Sequence, residues 1–464
     1  MNPALSAKVT AEMLSRYDRP GPRYTSYPTA VEFHDGYGEV EYREDLSKAN
    51  TAADAPLAVY THLPFCEERC NFCGCHVVAT RKREVALPYL ENLHREMDIV
   101  ADLLPDRRKV AQYHLGGGTP TYLSPEQLDQ ILEEFTQHFE FLPDAELAIE
   151  VDPRVTTEEH IDLLAVRGFN RISMGVQDFT PEVQRAIGRI QTFGQTHELA
   201  GYAAAKGMRG LNIDLIYGLP FQHLDTFAET LDLAIDLGPD RVAVYSFAYV
   251  PWIKGNQKRM DQAAFPGRDE KFALLGLARE KFLSAGYQAI GIDHFALPED
   301  ELSVAQREGR LYRNFMGYTV MPGEDALGFG ISAIGDVCGA FVQNEKKLSR
   351  YNAAIDAGAL PVQKGFRRSK DDEIRRELIQ NLMCNFVVHQ HRLEDKYGID
   401  FRKYFSTEIG LLREYVEEGL CEVGDDAIHV TKNGELFVRN LAMCFDAYLS
   451  KKKNSETPVF SRTV

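Results

Sequence analysis

Between residues 57 and 292 the sequence repeats one theme, a short apolar run followed by a helix-patterned stretch. The runs are Leu57–Leu63 (LAVYTHL), Ala111–Leu115, Glu146–Val151, Arg171–Val176, Leu211–Tyr217, Arg241–Phe247 and Gln288–Ile292. Helical spacing follows at Ala86–Leu104, Pro125–His138, Thr157–Arg167, Pro181–Ile187, Thr196–Lys206 and Asp269–Ala285. Strands joined through helices pair in parallel, and such crossovers are right-handed. The expectation is an α/β fold, a partial TIM-type (β/α)6 barrel. Barrel chemistry sits on loops at the C-terminal ends of the strands. The unusual residues here close those strands: CEERCNFCGC, GGGTPTY, EVDP, GVQD, DLIYGLP and FAYVP.

After Pro298 the alternation stops. Ala305–Tyr318 is basic and aromatic, Gly328–Gly339 reads as a tight loop, and Asp356–Ser369 reads as a linker. From Asp371 the chain looks helical through His389 and mixed to about Ser450. A length of 464 residues exceeds one small core. The expected division is an N-terminal extension or flap at 1–50, a catalytic domain at 51–355, a smaller, mainly helical C-terminal domain at 370–450, and a tail at 451–464. A net charge of −17 argues against non-specific nucleic-acid binding. There is neither a leader-like apolar run nor a stretch long enough to span a membrane, so a cytoplasmic monomer is expected.

Four of the eight cysteines fall within ten residues: Cys66, Cys70, Cys73 and Cys75. The scattered Cys338, Cys384, Cys421 and Cys444 read as buried small hydrophobes. Structural zinc takes four ligands, usually in two separated pairs, and no second pair exists. Soft thiolates spaced Cys66-x3-Cys70-x2-Cys73 suit an iron–sulfur cluster. Three ligands on a [4Fe-4S] cluster leave one iron open to chelate S-adenosylmethionine (SAM). A loop of this kind after a first strand resembles the radical SAM superfamily, whose cluster cleaves SAM to a hydrogen-abstracting radical. Cys75 is a fourth ligand, a second-site thiol or a spectator. Because a fourth ligand closes the open iron, a non-ligand near the site is preferred. Phe72 shields the cluster, stacks on adenine or simply packs.

At the other strand ends, Gly116–Gly117–Gly118–Thr119 lets backbone approach a ligand closely, or is only a tight turn. Glu150 and Asp152 offer carboxylates to ribose hydroxyls or an amino group, with a helix cap as the plain reading of Asp152. Gln177, Arg189 and Asp214 also lie at or beyond strand ends, and on their own Arg189 with Asp214 reads first as a structural ion pair. Arg307, Arg310 and Arg313 cluster with Tyr312, Asn314 and Tyr318, either as a carboxylate-binding patch or as a solvated face. His389 and His391 lack a third ligand and read as surface residues.

Together these motifs resemble the oxygen-independent coproporphyrinogen III oxidase family. The likeness runs from GPRYTSYPTA through YTHLPFCEERCNFCGCH, HLGGGTPTYL, IEVDPR, GFNRISMGVQDF, NIDLIYGLP, IDHFA, AQREGRLYRNFMGYT and GISAIG to RNLAMCFDAYL. The resemblance implies oxidative decarboxylation of two propionates of coproporphyrinogen III to vinyl groups, giving protoporphyrinogen IX. It implies a [4Fe-4S] cluster on Cys66, Cys70 and Cys73 and two SAM molecules. By matching motif, the first SAM meets Tyr60, Phe72, Gly117, Glu150 and Ile334, and the second meets Gly118, Thr119, Gln177, Arg189, Asp214 and Ala248. Asn71 departs from the aromatic expected there. The substrate carries four carboxylates, for which Arg307, Arg310 and Arg313 are the candidates. An electron donor and an electron acceptor are required and are not named by the sequence.

The competing readings are a haem-binding chaperone of the same superfamily, a radical SAM enzyme with another substrate such as a methyltransferase, and a zinc-stabilised binding protein. Chaperone relatives generally lack the CGC ending and the YTSYPT segment, both of which are present here.

Overall fold

A computed structural model describes residues 10–321, 323, 325–449 and 460–463. Six strands follow one another in parallel in chain order: β1 (Leu57–Leu63), β2 (Lys109–Gly117), β3 (Glu140–Val151), β4 (Arg171–Gln177), β5 (Gly210–Tyr217) and β6 (Arg241–Ser246). This is the expected α/β fold with a partial barrel. On the far side of β1, β7 (Asp325–Phe329) adds a further parallel neighbour. Beyond it Ile334–Val337, Ala340–Asn344 and Val362–Arg367 continue antiparallel.

Two expectations need correction. Gln288–Ile290 does not extend the parallel series; it hairpins with His294–Ala296, which pairs antiparallel with β6. No helix separates the two, so a crossover is sterically excluded. The expected linker at 356–369 contains the edge strand Val362–Arg367, paired with Ala340–Asn344.

Local sequence explains the helices that brace the sheet. In Pro125–His138 the Ser124 hydroxyl accepts from the Gln127 N–H, and the Gln127 side chain accepts from the Ser124 N–H. This reciprocal cap immediately precedes an N1 proline, Pro125. Leu128, Ile131, Leu132 and Phe135 then repeat at helical spacing and are buried. Each such side chain contributes roughly 1.5–3 kcal/mol on burial.

Apolar side chains form two large cores. One fills the sheet and its helices and includes Tyr42, Leu46 and Ala49 of helix Glu39–Ala49. The other joins Leu14, Tyr17, Tyr24 and Tyr27 to Ile374, Leu378, Leu382, Phe437 and Phe445. The N-terminal residues therefore lie against the C-terminal region, which combines helices with a small sheet of Val387–His389, Ala427–Val430 and Cys421–Val423. Arg439 fastens this contact by donating to the carbonyls of Gly21, Pro22 (3.0 Å) and Arg462 (2.9 Å). Most of the expected tail, 451–459 and 464, lies outside the described residues, as does residue 450. Residues 460–463 return to the body, where Arg462 bridges to Pro20 and pairs with Asp18 at 2.5 Å. Among the described residues no helix is long and apolar enough to cross a membrane.

Candidate active site

The cysteine loop leaves β1 and is closed at its base. Phe65–Cys66 pairs with Val78–Ala79, and the N–H groups of Val78 and Thr80 donate to Pro64 and Cys66 carbonyls at 2.8 and 2.9 Å. Between these ends, side chains from elsewhere hold the backbone. Asn256 Nδ2 donates to the carbonyls of Cys70 (3.1 Å), Asn71 (3.0 Å) and Cys73 (3.0 Å). Gln257 Nε2 donates to Phe72 O at 3.1 Å and Ala248 O at 3.2 Å, tying the loop to the end of β6. Asn71 docks on helix Pro181–Ile187, its N–H on Ile187 O at 2.8 Å and its amide on Ala186 O at 3.0 Å. The departure from an aromatic there thus has a structural use.

Cys66, Cys70, Cys73 and Cys75 line one cleft of about 1510 Å³ with Phe72, Gly117, Gly118, Thr119, Glu150, Gln177, Arg189 and Asp214. Burial pushes the Cys66 thiol up to about 11. Cys73 and Cys75 share a hydrogen bond that lowers Cys73 and raises Cys75. Arg154 Nη2 and Arg189 Nη1 lie 3.9 and 4.0 Å from Cys70 Sγ. Soft sulfur donors on one short loop with cations beside them fit an iron–sulfur cluster. Arg189 Nε and Asn256 Oδ1 are buried without a hydrogen-bond partner.

The glycine run does two things. Gly117 has φ +116°, and a Cβ there would sit 2.6 Å from the His62 ring; one on Gly118 would sit 2.7 Å from Pro64 O. Side chains are thus excluded where β2 meets the cysteine loop. The Gly117 N–H donates to Glu150 Oε2 at 3.0 Å, and His114 Nε2 lies 3.4 Å from Oε1. Burial works to raise the Glu150 pKa, but these partners outweigh it and hold the group ionised below its usual range.

Arg189 pairs with Asp152 (2.9 Å), not with Asp214, and donates to Gly175 O at 2.6 Å. Asp152 also pairs with Arg154 at 2.7 Å. Asp214 accepts from Asn212 at 2.9 Å, and burial with the nearby Glu150 charge raises it to about 6. Gln177 adopts φ +68° at the mouth of β4.

Three of the residues expected around SAM lie outside this cleft. Tyr60 and Ile334 line a neighbouring cavity of about 790 Å³, where the Tyr60 hydroxyl is 3.0 Å from His62 Nδ1. Ala248 lines a third cavity at the end of β6. The arginine trio is not one patch. Arg307 and Arg310 face outward, bonded to Gln288 (2.8 Å) and Glu308 (2.5 Å). Helix Glu301–Arg307 has ended before Arg310, so the three do not share a face. Arg313 alone faces the cavity of Tyr60; it is buried, 3.6 Å from Asp293 and 4.8 Å over the Tyr318 ring. Burial opposes ionisation of Asp293, but Arg313, His294 and Arg23 hold it far below its ordinary value. The stapling pair Asn256 and Gln257 was missed by sequence reasoning; the one available signal was two adjacent amides in the irregular segment after FAYVP.

The radical SAM superfamily profile matches residues 60–234, and the HemN C-terminal domain matches 369–437. A solved structure, coproporphyrinogen III oxidase (HemN) from Escherichia coli, described as a radical SAM enzyme, superposes with TM-score 0.89 at 41% identity, covering 92% of this chain and 97% of that one. The oxygen-independent coproporphyrinogen III oxidase of Synechocystis sp. is 40% identical over 99% of both chains. The Helicobacter pylori (strain 26695) protein of that name is 42% identical over 94% of this chain and 96% of its own. With such identity over nearly the whole length, and with the thiol loop and its cleft in place, the chain belongs to the oxygen-independent coproporphyrinogen III oxidase family.

Proposed function

We propose that this protein converts coproporphyrinogen III to protoporphyrinogen IX by oxidative decarboxylation of two propionates, without oxygen. The observation that carries the reading is the convergence of Cys66, Cys70 and Cys73 with Glu150 and Gly117–Thr119 on one cleft at the C-terminal strand ends. The three cysteines would hold a [4Fe-4S] cluster, with Cys75 beside it as a non-ligand. When bound, the reduced cluster and SAM supply a radical that removes a hydrogen from the propionate β-carbon, after which carbon dioxide and one electron leave.

The chain's own groups bind, orient and shield. Glu150, kept ionised and fixed by Gly117 and His114, suits the amino group of one SAM; Tyr60, Phe72, Gly117 and Ile334 complete its surroundings. Gly118, Thr119, Gln177, Arg189 and Asp214 on the same cleft surround a second SAM, and Ala248 stands in the chamber beyond the end of β6. The N-terminal residues 1–50 and the C-terminal region 370–450 exclude water from the catalytic domain at 51–355. Reducing, cytoplasmic conditions suit the free thiols. A donor must reduce the cluster, and an acceptor must take the electron released with each carboxyl group.

The test is anaerobic. The reconstituted protein is supplied with SAM, a reductant and coproporphyrinogen III, and protoporphyrinogen and 5′-deoxyadenosine are quantified. Product from the native chain and none from Cys66→Ala supports the reading. SAM cleavage without decarboxylation refutes the substrate, and tight haem binding with neither product favours the chaperone.

A further inference from the structure

The cavity bearing Ala248 is about 640 Å³ and lies where β5 and β6 end. Its walls are largely apolar: Phe247 and Phe265 stack with ring centres 5.6 Å apart and planes 14° from parallel, and Trp252 is 54% exposed beside them. It is contiguous in sequence with the thiol cleft, because Tyr245 lines the cleft while Ser246, Phe247 and Ala248 line this chamber.

Its basic groups differ in commitment. Arg462 is paired with Asp18, and Arg268 is bonded to Ser15 and Asp269. In the cavity of Tyr60, Arg313 and Arg376 are paired with Asp293 and Asp336. Lys271 is different: its Nζ donates to Phe247 O at 3.0 Å, and among the described residues no carboxylate lies within 4.0 Å. Its stem passes over Gly218, where a Cβ would sit 2.8 Å from Lys271 Cε, so the glycine opens its path into the chamber. A half-buried ammonium with one neutral acceptor and the Tyr217 ring 5.8 Å away still lacks an anionic partner. Burial, with Arg23, Arg439 and Arg462 nearby and only Asp18 opposing, lowers its pKa to about 8.

Resting on the function proposed above, we infer that this chamber seats the porphyrinogen, its apolar ring system against Phe247, Trp252 and Phe265 and one carboxylate on Lys271. The seat assigns substrate recognition to a lysine in the first turn of helix Arg268–Ser284 in place of the outward-facing Arg307 and Arg310.

The chain's one tryptophan is Trp252, so the full-length, cluster-loaded protein carries its own reporter. Coproporphyrin III, the oxidised ring with the same carboxylates, is titrated in while tryptophan emission is followed. Lys271→Gln is expected to weaken binding roughly tenfold or more, Lys271→Arg much less, and Arg310→Gln not at all. Circular dichroism checks that the variants fold. Wild-type binding is also expected to weaken as pH rises through about 8, as the ammonium loses its proton. Equal affinity of wild type and Lys271→Gln, or pH-independent binding, overturns the seat while leaving the reaction standing if wild type still turns over. Failure of the wild type both to bind and to turn over overturns the reaction and the seat together.

Discussion

Asn256→Ala isolates the fastening of the cysteine loop. The Asn256 amide serves three carbonyls, Cys70, Asn71 and Cys73, at 3.0–3.1 Å, but has only two hydrogens to give. At about 1 kcal/mol per net hydrogen bond, the loss is about 2 kcal/mol rather than 3. That cost falls on local opening of the loop, because all three acceptors are backbone carbonyls of the one cysteine loop. An open population raised by about 2 kcal/mol is raised roughly 30-fold. The assay is anaerobic release of iron from the reconstituted protein to an excess chelator, followed by loss of the sulfur-to-iron charge-transfer band. Asn256→Ala should release iron roughly 30-fold faster, with the global melting temperature nearly unchanged. Release at the wild-type rate would refute the idea that these hydrogen bonds limit loop opening. A large fall in melting temperature would refute the claim that the fastening is local.

Glu150→Gln removes the charge that Gly117 and His114 hold in place and should weaken SAM binding by roughly tenfold or more in calorimetry. Cys75→Ser should keep iron and sulfide content, while serine at Cys66, Cys70 or Cys73 should lower it, read by metal analysis. Arg307→Gln with Arg310→Gln should leave KM unchanged in the product assay, since both face outward. Glu96 is buried and accepts from Tyr351, Gly330 and Asn344, and burial raises its pKa from 4.5 to about 7. The folded state therefore holds a proton that the unfolded chain loses, so its stability is full below 4.5 and falls as pH rises to 7, by about 3 kcal/mol. Glu96→Gln carries no such proton, and its stability relative to wild type should climb over that window in thermal melts; a constant difference would refute the assignment.

Most of the parallel sheet was readable in the sequence because alternating burial and strand–helix order are local signals. Leu57–Leu63 and Pro125–His138 stand at the expected bounds. The thiols and strand-end polar residues were readable because one barrel face collects them. What failed had little or no local signal. Asn256 meets carbonyls 183 to 186 residues away, which no spacing rule encodes. Arg307, Arg310 and Arg313 look like one patch in sequence, but a helix ends at the first and a strand carries the last. Val362–Arg367 has the polarity of a linker because it is an edge strand beside solvent. Lys271 looked like any helix-surface lysine, and only the cavity beside Gly218 distinguishes it.

The clasp at Arg439 also orders events in time. Its hydrogen bonds reach 417 and 418 residues back, to Pro22 and Gly21, and Arg462 adds its own bridge to Pro20. During synthesis the sheet and its thiol loop emerge and pack long before these partners exist, since domains form as they leave the ribosome. The N-terminal residues must wait, tethered to a finished sheet, until the last segment arrives. Nascent protein thus passes through a stage in which the sheet and its thiol loop are assembled while the N-terminal residues are still unfastened.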